Sequence, residues 1–344
     1  MSERRKKKSA GIPSGIFGLL LFVLSLPFFL KAGGGRFLLS EALPGQAVFI
    51  QVAEEKDVPA ALVGKEDISF EKTASGGRKG LVSGEMLEKL SDFSYLRSNY
   101  YTVDSRTELY PEDIPVKEMY ARDLTVERTM KEPKILIFHT HAHEGFADSD
   151  MSKGIQEGVW GAAEYLKEIL EKKYGIAVLH DCGKYDEVNG VGKIVGSYER
   201  MEAPIRKVLK ENPSVEVVID MHRDGVPEDT RLIREVGGKT CAKLMFFNGL
   251  CRLKKDGGTT PISGLENPYV SDNLAMSLQM KLNGEAMFPG LCRKVYVNAY
   301  RFSLHMMPRS TLVEVGAQNN TKEEAWNAME PLADILASVL LREE

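Results

Sequence analysis

The chain has 344 residues, 43% of them hydrophobic and 27% charged, with a formal net charge of -4 and 4 cysteines. Those proportions exclude a disordered chain, which lacks the apolar residues to fold, and a small disulfide scaffold, which needs far more cysteine. Arg4, Arg5, Lys6, Lys7 and Lys8 crowd the first eight positions, so the remainder is more acidic than the net charge; a surface that grips phosphates is excluded, and no nucleic-acid partner is expected.

Between residues 9 and 30 there is no charged side chain, and residues 16–30 are nearly all apolar. About 20 such residues cross a bilayer at ~1.5 Å each. The sequence therefore predicts a cytoplasmic basic tail (1–8) and a transmembrane anchor (9–30). The basic cluster before the anchor outweighs Lys31 and Arg36 after it, which keeps the N-terminus cytoplasmic and exports the rest. A signal peptide cleaved near Ala32 is the competing reading.

Residues 31–130 read as a Gly33-Gly34-Gly35 linker and a small helical adaptor or stalk, with a capped helix after Ser83. From 131 to 344, strand and helix signals alternate. Strands are predicted at 134–138, 176–179, 215–220, 244–247 and 311–315. Helices are predicted at 159–173, 198–211 and 272–282, and from the capping-box spacing Thr321-Lys322-Glu323-Glu324, with a kink at Pro331. This alternation predicts an α/β domain with a mostly parallel, helix-flanked sheet. Cys182, Cys241, Cys251 and Cys292 allow three disulfide pairings or four free thiols, and their spacing has no Cys-x-x-Cys zinc pair.

Ligands of such sheets sit at the carboxyl ends of the strands. The first strand runs into His139-Thr140-His141-Ala142-His143-Glu144, half of the chain's 6 histidines in one loop. The third runs into Asp220-Met221-His222-Arg223-Asp224, and a late strand carries Glu314. Imidazoles and carboxylates without thiols suit zinc, with three protein ligands and one position open to water. His180 and His305 read as structural or supporting residues. Burying an unpaired carboxylate costs several kcal/mol, so Glu314 needs a partner: the metal-bound water, or a salt bridge to Arg223 or Arg301.

The run Pro133-Lys134-Ile135-Leu136-Ile137-Phe138-His139-Thr140-His141, with Glu144 and with Ile219-Asp220-Met221-His222-Arg223-Asp224, resembles the stage II sporulation protein P family. So do Tyr95-Leu96, Tyr101-Thr102-Val103-Asp104 with Arg106-Thr107, Pro289-Gly290-Leu291 with Arg293, and Val313-Glu314-Val315-Gly316 with Asn319-Asn320-Thr321. The resemblance spans about residues 85 to 344. It implies an amidase-like zinc peptidoglycan hydrolase (Zn2+), related to the N-acetylmuramoyl-L-alanine amidases and credited with crosslink endopeptidase activity as well. It implies a chain anchored in the engulfing mother-cell membrane that thins septal wall with stage II sporulation proteins D and M. By position, His141, His222 and Glu144 match the metal ligands, with His139 a further possibility, and Glu314 matches the catalytic glutamate; Arg223 is a candidate oxyanion donor. The chain departs from the family at His143, near Tyr185 and at Phe302-Ser303. His143 could therefore compete for metal, and Glu157 is a fallback ligand. A crosslink-only zinc endopeptidase and a non-enzymatic wall-binding scaffold are the alternatives.

Overall fold

Residues 81–342 are described by the structure, a computed structural model. The basic tail, the expected anchor and the glycine linker lie outside the described residues. Among the described residues no helix is long and apolar enough to cross a membrane. The chain divides into two units at Pro44, and the described residues all fall in the second.

Two short helices come first: α1 (Gly84–Leu90), capped by the Ser83 side chain, and α2 (Phe93–Tyr100), capped by Asp92. Helix α2 runs directly into strand β1 (Tyr101–Val103), and α3 (Val116–Ala121) follows. Next come β2 (Ile135–Phe138), α4 (Val159–Tyr174) and β3 (Val178–His180). Strands β4 (Glu187–Val188) and β5 (Val191–Gly192) form a hairpin whose turn, Asn189-Gly190, has both φ angles positive, which suits Asn-Gly. Helix α5 (Ser197–Glu211) leads to β6 (Val217–Asp224), and β7 (Ile233–Val236) and β8 (Lys239–Ala242) form a second hairpin around Gly237-Gly238. Strand β9 (Leu244–Gly249), a third hairpin of β10 (Arg252–Lys255) and β11 (Gly258–Pro261), α6 (Val270–Met287) and β12 (Val295–Asn298) come next. Strand β13 (Ser310–Ala317) and helices α7 (Lys322–Asn327) and α8 (Met329–Leu340) close the chain.

Seven strands make the main sheet, in the order β1-β12-β9-β13-β6-β2-β3. Every neighbouring pair is parallel except β13 with β9. The sheet is thus mostly parallel, as expected, but made of two parallel halves facing opposite ways. A strand's own residues do not encode its neighbour's direction, which is why 244–247 read as one more parallel strand.

Period-two alternation assigns the side chains to faces. Ile135, Ile137, Val217, Ile219, Met221, Val313 and Val315 share a core with α4 and α8, while Leu136, Phe138 and Val218 pack with Met201 and Ile205 of α5. Asp220, His222 and Asp224 continue the phase of Val218, and Glu314 that of Leu312, so the polar residues lie on the α5 face. Arg223 continues the phase of Met221 and starts out on the other.

Two expectations are corrected and one open alternative is decided. The boundary at 131 does not divide the fold. β1 pairs with β12, and Leu90, Leu96 and Met119 share one core with Leu278, Val295 and Val297, because the apolar sides of α1–α3 are what cover this end of the sheet. The last helix breaks at Ala328 rather than kinking at Pro331; the Thr321 capping box starts α7, and Pro331 falls in the first turn of α8, where a missing N–H is tolerated. Finally, all four cysteines are free, and burial pushes the thiols of Cys241, Cys251 and Cys292 up to about 11, 12 and 12, leaving Cys182 as the exposed one.

Candidate metal centre

Beyond Phe138 the chain leaves β2 and is tied at once to β6. The Thr140 N–H donates to Asp220 Oδ1 at 2.9 Å and its hydroxyl to Oδ2 at 2.7 Å. Asp220 Oδ1 also lies 2.8 Å from His222 Nε2. That leaves Nδ1 of His222 facing Glu144 Oε2 at 3.4 Å, while Glu144 Oε1 is 3.3 Å from His141 Nδ1. Backbone geometry fixes the carboxylate's end of the loop. The Arg223 N–H donates to Glu144 Oε2 at 2.9 Å and the Val159 N–H to the Glu144 carbonyl at 3.0 Å. Gly158 has to be glycine, since a Cβ there would meet the Glu144 carbonyl oxygen at 2.1 Å.

His141, Glu144 and His222 each offer a ligand atom within 4.8 Å of the others, and His141 Nε2 is buried with no hydrogen-bond partner. The donor set, two imidazoles and one carboxylate, fits zinc, and Asp220 behind His222 is the outer carboxylate that orients a ligating imidazole. Burial alone would raise the Glu144 pKa, but His222 and His141 outweigh it and hold the carboxyl well below the usual range. Burial would likewise lower His222, yet Asp220 and Glu144 hold it well above its ordinary value. A cation bound at the trio would need His222 neutral, so metal and proton compete for it.

Glu314 stands level with His222 in the β13–β6 register, on the same face. Its Oε2 is buried without a partner, and its pKa is raised well above the carboxyl range, first by burial, then by Asp224, with His222 opposing. The alternative, a salt bridge, is absent among the described residues: Arg301 binds Glu202 at 3.0 Å, and the Arg223 guanidinium donates to the carbonyls of Gly145 at 3.0 Å and Asp224 at 3.4 Å. What Arg223 brings to the cluster is its backbone N–H.

Five other residues singled out in the sequence stand outside the cluster. His139 Nδ1 lies 2.8 Å from the Met221 carbonyl and Nε2 lies 2.9 Å from His180 Nε2, so both ring nitrogens are taken. Burial, then His180, pushes its pKa down to about 3. His180 turns its Nδ1 to Glu164 at 2.6 Å and stacks on Trp160 at 4.5 Å, a structural brace as expected. His143 bonds Asp186 at 2.8 Å, so it is turned toward the β4–β5 hairpin and away from the trio. Glu157 pairs with Lys322, and His305 lies 3.1 Å from Glu202. Sequence reasoning left Asp220 and Tyr198 without roles. Asp220 was legible, because residues two apart on a strand share a face. Tyr198 meets His141 edge-on at 5.7 Å but is a helix residue remote in sequence, and nothing local marks it.

A family model described as stage II sporulation protein P matches residues 59–337. Among curated proteins, the Stage II sporulation protein P of Bacillus subtilis (strain 168) is 21% identical over 232 residues, 63% of this chain and 54% of that protein. The chain thus spans about half the length of the curated relative it matches. Two solved N-acetylmuramyl-L-alanine amidases have weaker likeness. The apo form from Mycobacterium abscessus is 12% identical over 60% of this chain and 99% of that chain, with a TM-score of 0.36. The enzyme from Clostridium difficile 630 is 15% identical over 60% and 96%, with a TM-score of 0.34.

Proposed function

The chain belongs to the stage II sporulation protein P family, and from that membership we propose that it is a zinc-dependent peptidoglycan hydrolase. It cleaves the amide between N-acetylmuramic acid and L-alanine. The observation that carries this reading is the convergence, on one sheet face, of His141, Glu144 and His222 beside a carboxyl, Glu314, whose buried oxygen has no partner. A zinc ion held by the trio would polarise the scissile carbonyl and acidify water. Glu314 takes a proton from the attacking water as its oxygen bonds the carbonyl carbon, then delivers that proton to the L-alanine nitrogen as the C–N bond breaks. Asp220 holds His222 in one orientation, Thr140 holds Asp220, and the Arg223 N–H holds Glu144.

The reading extends to the residues outside the described part. The 9–30 segment anchors the chain with its N-terminus in the cytoplasm and the hydrolase outside, in the engulfing mother-cell membrane. There it acts on septal wall with stage II sporulation proteins D and M. The charge pattern of residues 1–36 and the family membership support this.

The test is metal analysis of the purified chain together with mass spectrometry of the products from purified peptidoglycan. One zinc per chain, stem peptides released with a free L-alanine amine, and activity lost to a chelator and restored by zinc are expected. Hydrolysis indifferent to the chelator would overturn the metal assignment, and products cut only within crosslinks would overturn the amidase assignment.

A further inference from the structure

Hydrolysis of an amide puts negative charge on the carbonyl oxygen, and the largest single contribution a site can make is a donor already aimed at that oxygen. The Arg223 guanidinium is committed to two backbone carbonyls. A different donor stands at the cluster. Tyr198 is the second residue of α5, just after Gly196, whose φ of +83 turns the chain into the helix. Its ring meets the His141 ring edge-on, with centroids 5.7 Å apart and planes at 77°. Its hydroxyl makes no hydrogen bond with any described residue, and a phenol is a neutral O–H donor at physiological pH.

The phenol is backed by a strained residue. Phe302 has φ +52, in the left-handed region that a bulky side chain rarely adopts, and such outliers gather at functional sites. In that conformation its ring packs edge-on against Tyr198 at 5.4 Å and against Phe247 at 4.7 Å. Phe247 is itself stacked on Tyr296 at 5.1 Å. A row of aromatic contacts therefore leads from the sheet to the phenol and from the phenol to His141.

We propose that Tyr198 is the donor that meets the oxygen of the scissile amide as it becomes an anion, and that Phe302 is a positioning residue that sets the direction of the phenol. No proton leaves Tyr198: its O–H stays whole, and its hydrogen bond strengthens as charge develops and relaxes when the C–N bond breaks. The assignment rests on the hydrolase reading above.

Tyr198→Phe removes one oxygen and leaves the packing in place. In the full chain it should lower kcat by about 10²–10³-fold, keep KM within about threefold and keep the zinc content. A phosphinate analogue of the lactyl amide, which imitates the anion, should bind Tyr198→Phe more weakly by a similar factor, whereas a muramoyl dipeptide should bind both forms alike. Phe302→Leu should cost about tenfold in kcat in the parent and nothing further beside Tyr198→Phe. An active parent whose Tyr198→Phe form matches it in kcat and in phosphinate binding overturns the donor role alone. Equal losses from Phe302→Leu in both backgrounds overturn the positioning role. A parent inert on peptidoglycan removes the hydrolase reading and this one with it.

Discussion

On one side of the antiparallel β9–β13 junction, β13 and β6 with the loop after β2 bury Thr140, Asp220, His222 and one oxygen of Glu314. On the other side, β12 and β1 bury Val295, Val297 and Tyr101 against Leu90, Leu96 and Met119. Where a carboxylate is buried on this second side it is saturated: Asp104 receives two side-chain bonds from Arg106, at 2.8 Å each, and one from the Tyr296 hydroxyl at 2.9 Å. Glu314 has nothing comparable. The β12–β1 half serves cohesion and its buried carboxylate is saturated, whereas the β13–β6 half keeps one carboxyl oxygen, that of Glu314, without a partner, the condition under which it is free for a cation or a substrate.

Substitutions that separate activity from stability sharpen this comparison, and the largest effect belongs to the polar half. His222→Ala should abolish zinc retention and lower hydrolysis by about a thousandfold or more, with the fold intact by circular dichroism. Glu314→Gln should match that loss of activity while keeping its zinc. On the cohesive half, Met119→Ala should cost about 2–5 kcal/mol of stability and leave zinc affinity unchanged. A loss of zinc in the folded variant would mean that the halves are coupled.

Asp104→Asn should cost about 1.5–3 kcal/mol at neutral pH, the worth of hydrogen bonds to a charged group. Burial raises the Asp104 carboxyl, but Arg106 outweighs it and lowers the pKa. A lowered carboxyl contributes stability above its unfolded pKa of about 3.9 and loses it as pH falls through the folded value. Denaturation curves of parent and variant should therefore converge in acid; a constant gap would break the assignment. The smallest effect has the opposite sign. The Glu314 pKa is raised, so the folded chain binds that proton more tightly than the unfolded chain, and stability declines as pH rises from the unfolded value of about 4.3. Metal-free Glu314→Gln should then melt above the metal-free parent at pH 8, with the difference shrinking toward pH 4.

The elements longest in sequence were the most legible. Helices α4 and α5 and the strands β6 and β13 follow from apolar period and cap residues, and the Thr321-Glu324 capping box forms as its spacing predicts. Strands β1 and β12 have three and four residues, too few to show a period, and their place in the sheet is fixed by partners remote in sequence. Within the site, the residue types announced His141, Glu144, His222 and Glu314. The exclusion of His139 was not readable, because it depends on the Met221 carbonyl and His180 taking both its nitrogens. Arg223 is a different case: as neighbour of His222 on a strand, its side chain has to leave from the opposite face, and period two alone contained that.

The distribution of thiols has a practical consequence. With Cys241, Cys251 and Cys292 buried and their thiols hard to ionise, a maleimide dye added to the native chain should attach at Cys182 alone. That position is next to Asp181, whose carbonyl accepts the Trp160 indole N–H at 3.2 Å. The chain thus comes with a single reporter site within reach of a natural fluorophore, ready for energy-transfer measurements without any engineered cysteine.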